Sequence, residues 1–528
     1  MATTETQEPT NHGVVSAATP EAAAAGAEIL EAGGNAIDAA VAVSLALAVT
    51  EPAGSGLGGQ AIVLIHPPDA PAVVVNGTSV SPRGVPDDVT ADDIEGRRAA
   101  TVPSLLRTLD AAWRKFGSGR LSWADLVAPA LRYADEGFDP GPFRHGSLEL
   151  YASAIRANPD AASVFLLPDG QVPPVGRRWH QPALAKTLRR IATAGADDFY
   201  SGEIAAEIAR DMGSHGGWIT LDDLRTFPPP EIVPALHGTY RGWDVYTTLP
   251  PGGGWVVIQT LNIMEQLEPG ADDRRRTIWL AEALRTGHTS RVEAPVGDLE
   301  NAGESIEQQT SKEHARLLTR ELPSPGSGET THFVVVDADG LTVSASQSLN
   351  SYFGARAMCP SLGILYNDYM REFQTDAPGH PFALRASAMP YSSMSATILA
   401  RDGRARFAVG SPGSRRIISS IVQVIGRWVD QDQDIEDAVA APRIHVVPEG
   451  NQLLFERRPR DRELVRELER RGFHLSVPVS SLFEGELDPY FGGVHAVAWE
   501  EELGWRGAAD PRRDGEVRYV RPTEPLAR

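Results

Sequence analysis

The β-branched run Phe333-Val334-Val335-Val336, closed by Asp337-Ala338-Asp339-Gly340 and answered by the stretch from Leu341 to Asn350, constrains this chain more than any other segment. Two extended runs joined by an Asp/Gly turn make an antiparallel hairpin, and the turn length decides which residues face each other. With Ala338-Asp339-Gly340 as a three-residue loop and Gly340 in its left-handed position, Asp337 pairs with Leu341. Thr330 then faces Ser348, and Asn350 falls just past the strand end. Opposed side chains on such strands hold their Cβ atoms about 4.5–5.5 Å apart, so the two hydroxyls are within reach. A two-residue loop would instead bring Gln347 opposite Thr330. The plainer reading of Ser348 and Asn350 is ordinary polar residues at a strand end.

Ahead of the hairpin, Leu322-Pro323-Ser324-Pro325-Gly326-Ser327-Gly328 reads as exposed loop, and Glu329-Thr330-Thr331-His332 opens the strand. A hydroxyl residue at this junction is placed to become a new N-terminus. If the bond between Glu329 and Thr330 is cut, one residue carries both a hydroxyl nucleophile and an α-amine. That amine has a model-peptide pKa of about 7.7–8.0, so a neutral fraction exists near pH 7 to take the hydroxyl proton. Two threonines entering a strand are the structural alternative.

The net charge of −21 argues against nucleic acid and anionic membrane surfaces as partners, because it offers neither phosphate neutralisation nor a basic amphipathic helix. A single cysteine, Cys359, rules out an internal disulfide and a multi-cysteine metal site. The 13 histidines form no H-x-x-x-H pair on a helix, so no metal and no cofactor are expected. Met1 to Thr6 lacks a basic n-region, and Ala22 to Ala25 is too short and too close to Glu28 for a signal core, which implies a cytoplasmic location. No apolar run reaches the roughly 18 residues of a membrane span.

Along the chain, Pro20 to Ala32 and Ala36 to Thr50 read as alanine-rich helices, the second apolar nearly all round and therefore buried. Ala61 to Ile65 and Ala72 to Val75 read as strands. Helices are expected to dominate from Pro103 to Glu321, including Leu105 to Phe116, Trp123 to Ala134 and Thr277 to Arg285. Beyond Thr330, strands such as Ala405 to Val409 and Val494 to Trp499 alternate with helices at Ser414 to Trp428 and Arg462 to Arg471. Two sheets covered by helices fit this order. Gly54-Ser55-Gly56-Leu57-Gly58-Gly59 satisfies G-x-G-x-x-G, but it follows a helix and precedes a strand, the reverse of the dinucleotide fingerprint, so it reads as a close-packed turn. His332 either buttresses the new terminus or is a hydrogen-bonded core histidine.

Gly33-Gly34-Asn35-Ala36-Ile37-Asp38-Ala39-Ala40, Glu51-Pro52 through Gly58-Gly59, Pro250-Pro251-Gly252-Gly253-Gly254, Thr330-Thr331-His332, Leu349-Asn350, Ser392-Ser393-Met394-Ser395 and Gly410-Ser411-Pro412-Gly413 follow one another along the chain. In this order they resemble the γ-glutamyltransferase branch of the N-terminal nucleophile hydrolases, whose precursors cut themselves before a threonine. The resemblance implies an α+β fold, a four-layer αββα sandwich. It also implies one interwoven unit divided into a large subunit, residues 1–329, and a small subunit, residues 330–528, together forming a heterodimer that acts on a small-molecule amide. By the same resemblance Thr330 is the nucleophile and Ser348 takes the place of a supporting threonine. Asn350, Ser392 and Ser393 match substrate-binding positions, and the N–H groups of Gly413 and Ser414 form the oxyanion hole.

Departures from the family pattern bear on the substrate. An arginine that grips the γ-glutamyl α-carboxylate is replaced here by Thr78, and a hydroxyl cannot supply a charge-assisted, bidentate grip. Glu372 stands where the family has an aspartate for the substrate amine, Tyr369 where it has a glutamine, and Ser414 where it has the second of two glycines. The spacing from Phe373 to Ser392 is shorter than in lid-bearing members, which implies a reduced lid. Arg356 is a candidate substitute cation. Four functions stay open on the sequence: a self-processing amidohydrolase, a true γ-glutamyl transferase or glutathione hydrolase, a specialised hydrolase of a small oxo or amide acid, and an unprocessed scaffold that kept the fold.

Overall fold

The computed structural model describes residues 13–268, 270–297, 303–317, 329–447, 449–478 and 487–520. The loop expected at Leu322 to Gly328 lies outside them.

Two large sheets organise the chain. Their strands, in chain order, are β1 (Gly13–Ala17), β2 (Gln60–His66), β3 (Val73–Gly77), β4 (Glu231–Pro234), β5 (Leu236–Tyr240), β6 (Trp243–Thr247), β7 (Glu329–Val336), β8 (Thr342–Asn350), β9 (Thr397–Arg401), β10 (Arg404–Gly410), β11 (His495–Glu500), β12 (Gly504–Ala509) and β13 (Glu516–Val520). The first sheet runs β13-β1-β7-β8-β2-β3-β4 and the second β12-β11-β10-β9-β6-β5. Neighbours are antiparallel throughout both.

The period-two alternation of buried strands builds the layers. On β7, Val334 and Val336 join Ile62 and Leu64 of β2 and meet Ile398, Ala408 and Val497 of the second sheet in one core. Phe333 and Val335 point the other way, into a helical layer made by α1 (Pro20–Glu31) and α2 (Ala36–Thr50). On the second sheet, Leu399, Phe407 and Val409 face α3 (Gly254–Met264), α4 (Asp273–Glu293) and α5 (Arg416–Asp430). The order is helices, sheet, sheet, helices: the expected αββα sandwich. Helix α2 has every residue buried and is started by a capping box between Asn35 and Asp38, which explains how a helix with no polar face sits inside the molecule.

Both sheets draw strands from either side of Thr330, so the two halves are interwoven. Helices dominate from Pro103 to Glu321 as expected, but this stretch also contributes three short strands that the sequence did not reveal, β4, β5 and β6, of which β4 and β5 are edge strands, one in each sheet. Pro228-Pro229-Pro230 separates the helices that end at Arg225 from these strands, and Pro234 is tolerated because β4 lies at an edge, where no ladder partner needs its N–H. Among the described residues, no helix is long and apolar enough to cross a membrane.

Candidate active site at the head of strand β7

The hairpin has the register set by its three-residue loop. Asp337 N–H donates to the Leu341 carbonyl at 3.2 Å, Gly340 has φ 87°, and pairing runs from Val336↔Thr342 to Thr331↔Gln347. It then slips, so that Glu329 pairs with Asn350 and Thr330 sits in a bulge. The Thr330 hydroxyl donates to Ser348 Oγ at 3.4 Å, and the Ser348 hydroxyl donates to the Glu329 carbonyl at 2.7 Å. Ser348 Oγ also accepts the Asn350 N–H at 2.7 Å. The result is a relay from the Thr330 oxygen to the carbonyl of the bond before it. The glycine run of residues 54–59 packs against this hairpin and its neighbours: a Cβ on Gly59 would fall 2.4 Å from the Ser348 carbonyl, and one on Gly58 would fall 2.1 Å from that of Leu365. That is the close-packed turn, not a nucleotide loop.

Thr330 opens onto a cleft lined by Asn350, Tyr369, Glu372, Tyr391, Ser392, Ser393, Ser414 and Arg415. Asn350 Nδ2 donates to Glu372 Oε1 at 3.1 Å. Burial pushes the Glu372 carboxyl up; the Asn350 amide, Arg291 and Arg415 oppose the shift. Tyr369 is buried against Ser348 and Gln60, and burial pushes its phenol up as well. The Ser392–Ser393 loop is clamped from beneath by Arg291 of α4, whose Nη2 donates to the Ser392 carbonyl at 2.7 Å and to Ser393 Oγ at 3.0 Å, with the guanidinium 4.1 Å from the Tyr391 ring centroid.

Gly413 and Ser414 precede α5 with φ 116° and 54°. Their carbonyls accept from Arg416 and Ile417 in the first helical turn, whereas none of the described hydrogen bonds takes up their N–H groups. Two backbone donors at a helix N-terminus make an anion site, and a side chain at position 414 does not obstruct it. The left-handed backbone at Ser414 stores roughly 1–3 kcal/mol of strain.

On the opposite face of β7 the Glu329 side chain is buried. Arg513 Nη1 donates to its Oε1 at 2.7 Å and lies 4.0 Å from Glu51. Burial opposes the charge on Arg513, but Glu329, Tyr352 and Glu51 outweigh it and hold its pKa above the usual range. Burial pushes Glu51 up to about 7, with Arg513 partly offsetting the shift.

Of the residues singled out from the sequence, the fold brings Thr330, Asn350, Glu372, Ser392, Ser393 and Ser414 to one cleft, with Ser348 behind Thr330 and Gly413 beside Ser414. Thr78 is turned away from it: its hydroxyl donates to Asn76 Oδ1 at 2.7 Å, it is buried, and it does not line the cleft. Arg356 lines a neighbouring cavity. His332 is a core histidine between the sheets, bonded to Ser346 at 2.9 Å and kept neutral by burial. Sequence reasoning missed Arg291 and Arg513. Each is a buried arginine whose partners lie about a hundred or more positions away, so nothing in the neighbouring sequence marks it.

Stacked antiparallel sheets between helical layers, with a hydroxyl residue heading a central strand, define a hydrolase of the N-terminal nucleophile class. A family model described as gamma-glutamyltranspeptidase matches residues 22–520. The chain is 32% identical over 474 residues to the glutathione hydrolase proenzyme of Escherichia coli (strain K12), covering 82% of this chain and 80% of that protein. It is 31% identical over 539 residues to the acylase ACY 1 proenzyme of Pseudomonas sp. (strain V22), covering 96% and 93%. The solved cephalosporin acylase from Bacillus halodurans superposes with a TM-score of 0.86 at 27% identity, covering 98% of this chain and 97% of that one. This chain belongs to the gamma-glutamyltranspeptidase family and is an enzyme that acts on amide bonds by hydrolysis or acyl transfer.

Proposed function

We propose that the chain is a precursor that cuts itself between Glu329 and Thr330, yielding subunits of residues 1–329 and 330–528, and that Thr330 then serves as the nucleophile of an amidohydrolase. The observation that carries this is the relay Thr330 to Ser348 to the Glu329 carbonyl. In maturation, the Thr330 oxygen adds to the Glu329 carbonyl carbon while its proton passes toward Ser348, and the Ser348 hydroxyl stabilises the carbonyl oxygen as it becomes negative. The C–N bond breaks with a proton going to nitrogen. Water then hydrolyses the ester, leaving a carboxylate on Glu329 and a free amine on Thr330.

In turnover the same oxygen attacks a substrate amide. The Thr330 amine takes the hydroxyl proton and delivers it to the leaving nitrogen, while the N–H groups of Gly413 and Ser414 hold the oxyanion. Water resolves the acyl-enzyme. Asn350, Glu372, Ser392 and Ser393 bind the acyl group. Thr78, turned away and uncharged, cannot grip a carboxylate, which favours an acylase-like hydrolase over a glutathione hydrolase. Mass spectrometry of the purified protein tests the maturation step: two fragments, the smaller beginning at Thr330, support it, and an intact chain overturns it.

A further inference from the structure

Carboxylates are seldom fully buried, and a buried one has to be paired. Glu329, whose carbonyl Thr330 attacks in the cut, breaks that habit in company: the side chains of Glu329, Arg513 and Glu51 are each at most 2% exposed. A buried pair of this kind can often be replaced by apolar residues without loss, so stability alone explains it poorly. What it supplies is geometry. Residue 329 is gripped at both ends, since Arg513 Nη1 donates to its side-chain Oε1 at 2.7 Å and the Ser348 hydroxyl donates to its main-chain carbonyl at 2.7 Å. Two fixed points on one residue limit how the carbonyl facing Thr330 can turn.

Arg513 is itself held in place. Its guanidinium lies 4.4 Å from the Phe143 ring centroid, and its Nε donates to the Gly492 carbonyl at 3.4 Å. Its stem crosses Gly493, where a Cβ would fall 2.3 Å from Arg513 Cδ, and Gly492 packs on the oxyanion loop, its Cα 3.4 Å from where a Cβ on Gly413 would stand. One arginine thus ties the bond to be cut to the loop behind the oxyanion donors. Its own engagement is incomplete. Nη2 is buried with no hydrogen-bond partner among the described residues, and Glu51 waits 4.0 Å from Nη1, beyond hydrogen-bond range.

The cut changes this balance. Hydrolysis of the ester puts a new α-carboxylate on Glu329, near its own side chain and Glu51, and like charges at close range repel. Thr330 can admit a substrate only once residue 329 has moved out of its way. That departure would strand a buried cation unless Glu51 closes the 4.0 Å gap.

We propose that Arg513 is the positioning residue for self-cleavage: it selects an acidic residue at position 329, holds the scissile carbonyl for Thr330, and passes to Glu51 when the new C-terminus leaves. This rests on the reading of Thr330 as the self-cleaving nucleophile and adds what the cut requires on its N-terminal side.

The test follows conversion of freshly synthesised full-length chain by mass spectrometry. Glu329→Gln fills the same space without the charge and should slow conversion by about 10- to 100-fold, the cost of misplaced reacting atoms; Glu329→Asp keeps the charge and should recover part of that. In the Thr330→Ala background the melting temperatures of these variants should differ little, because Glu51 stands in as the partner. The transfer to Glu51 is read by carboxypeptidase Y digestion of the cut protein. The wild type should lose Glu329 from the large subunit, whereas Glu51→Gln should retain it roughly tenfold longer. Conversion of Glu329→Gln at the wild-type rate, no recovery in Glu329→Asp, slow conversion matched by a fall in melting temperature, or equal trimming in Glu51→Gln overturns the proposal. A wild-type chain left uncut before Thr330 would instead bring down the nucleophile reading, and the first mass spectrum separates the two failures.

Discussion

The two ends of the β7–β8 hairpin are built on different principles. At the turn, Asp337 Oδ1 accepts the N–H groups of Asp339 and Leu341 at 3.0 and 3.1 Å, and the one left-handed residue is Gly340. Apart from the Ala36 N–H, which Asp337 Oδ2 accepts at 3.0 Å, the bonds that set the turn lie within five residues. At the other end the register slips, Asn350 is left-handed without being glycine, and Glu329 is held by Arg513, 184 positions away. The Leu349 N–H reaches back to the Gly54 carbonyl at 3.1 Å. The turn end folds on local rules; the site end holds a strained shape only because distant segments enforce it, as expected where geometry serves chemistry.

The largest break in this contrast comes from Thr330→Ala. With no hydroxyl to attack, the chain should run as one uncut band on a denaturing gel and turn over no amide, whereas the hairpin should still form. A normal pair of fragments would mean that the site end is not where the chain is cut.

Arg513→Met comes next, made in the Thr330→Ala background so that cleavage does not complicate unfolding. It strands the Glu329 carboxylate in a buried pocket, and removing one partner of a buried pair costs about 3–5 kcal/mol. Denaturant unfolding should show that loss, and Glu329→Gln on top should recover part of it. An unchanged midpoint would show that the site end does not depend on this distant clamp.

Ser348→Ala probes the relay itself. Loss of a donor aimed at a developing oxyanion typically slows a reaction about 10²- to 10³-fold, so precursor should persist in a pulse-chase gel for far longer than the wild type. Cleavage at the normal rate would remove Ser348 from the relay and leave it as a strand-end serine.

The Glu51 carboxyl beside the same clamp adds a pH signature. Its folded pKa is raised, from 4.5 to about 7, so the folded chain holds a proton that the unfolded chain releases between those values. Stability contributed by the neutral form is therefore fully present below pH 4.5 and is lost as pH rises toward 7, by up to about 3 kcal/mol. Unfolding of the Thr330→Ala chain between pH 4.5 and 7 should show this decline, and Glu51→Gln should flatten it. A slope unaltered by Glu51→Gln would place the titration elsewhere.

The same contrast explains what was legible in the sequence. Helix α2 and the hairpin register as far as Thr331↔Gln347 follow from periodicity and one glycine, because the interactions that fix them are close in sequence; the hydroxyls of Thr330 and Ser348 meet as expected, but across a register slip that leaves Thr330 in a bulge. Strands β4 and β5 were hidden because a short edge strand next to prolines carries little alternation. The clamps by Arg291 and Arg513 were hidden because nothing local announces which arginine will be buried against a partner about a hundred or more residues away. Family motifs located the cleft residues, but not that Thr78 would turn toward Asn76.

The smallest effects give the sharpest comparison, because two opposite substitutions test the same backbone argument. Gly340 at φ 87° is the residue the turn demands, so Gly340→Ala should destabilise the chain by about 1 kcal/mol. Ser414 at φ 54° occupies the same kind of backbone with a side chain it does not need, so Ser414→Gly should stabilise by about 1 kcal/mol. Because the oxyanion donors are backbone N–H groups, kcat should stay within about twofold in the second variant. If Ser414→Gly instead lowers kcat sharply at unchanged stability, the serine side chain itself takes part in the site, and the strain there serves to aim its hydroxyl as well as the two N–H groups.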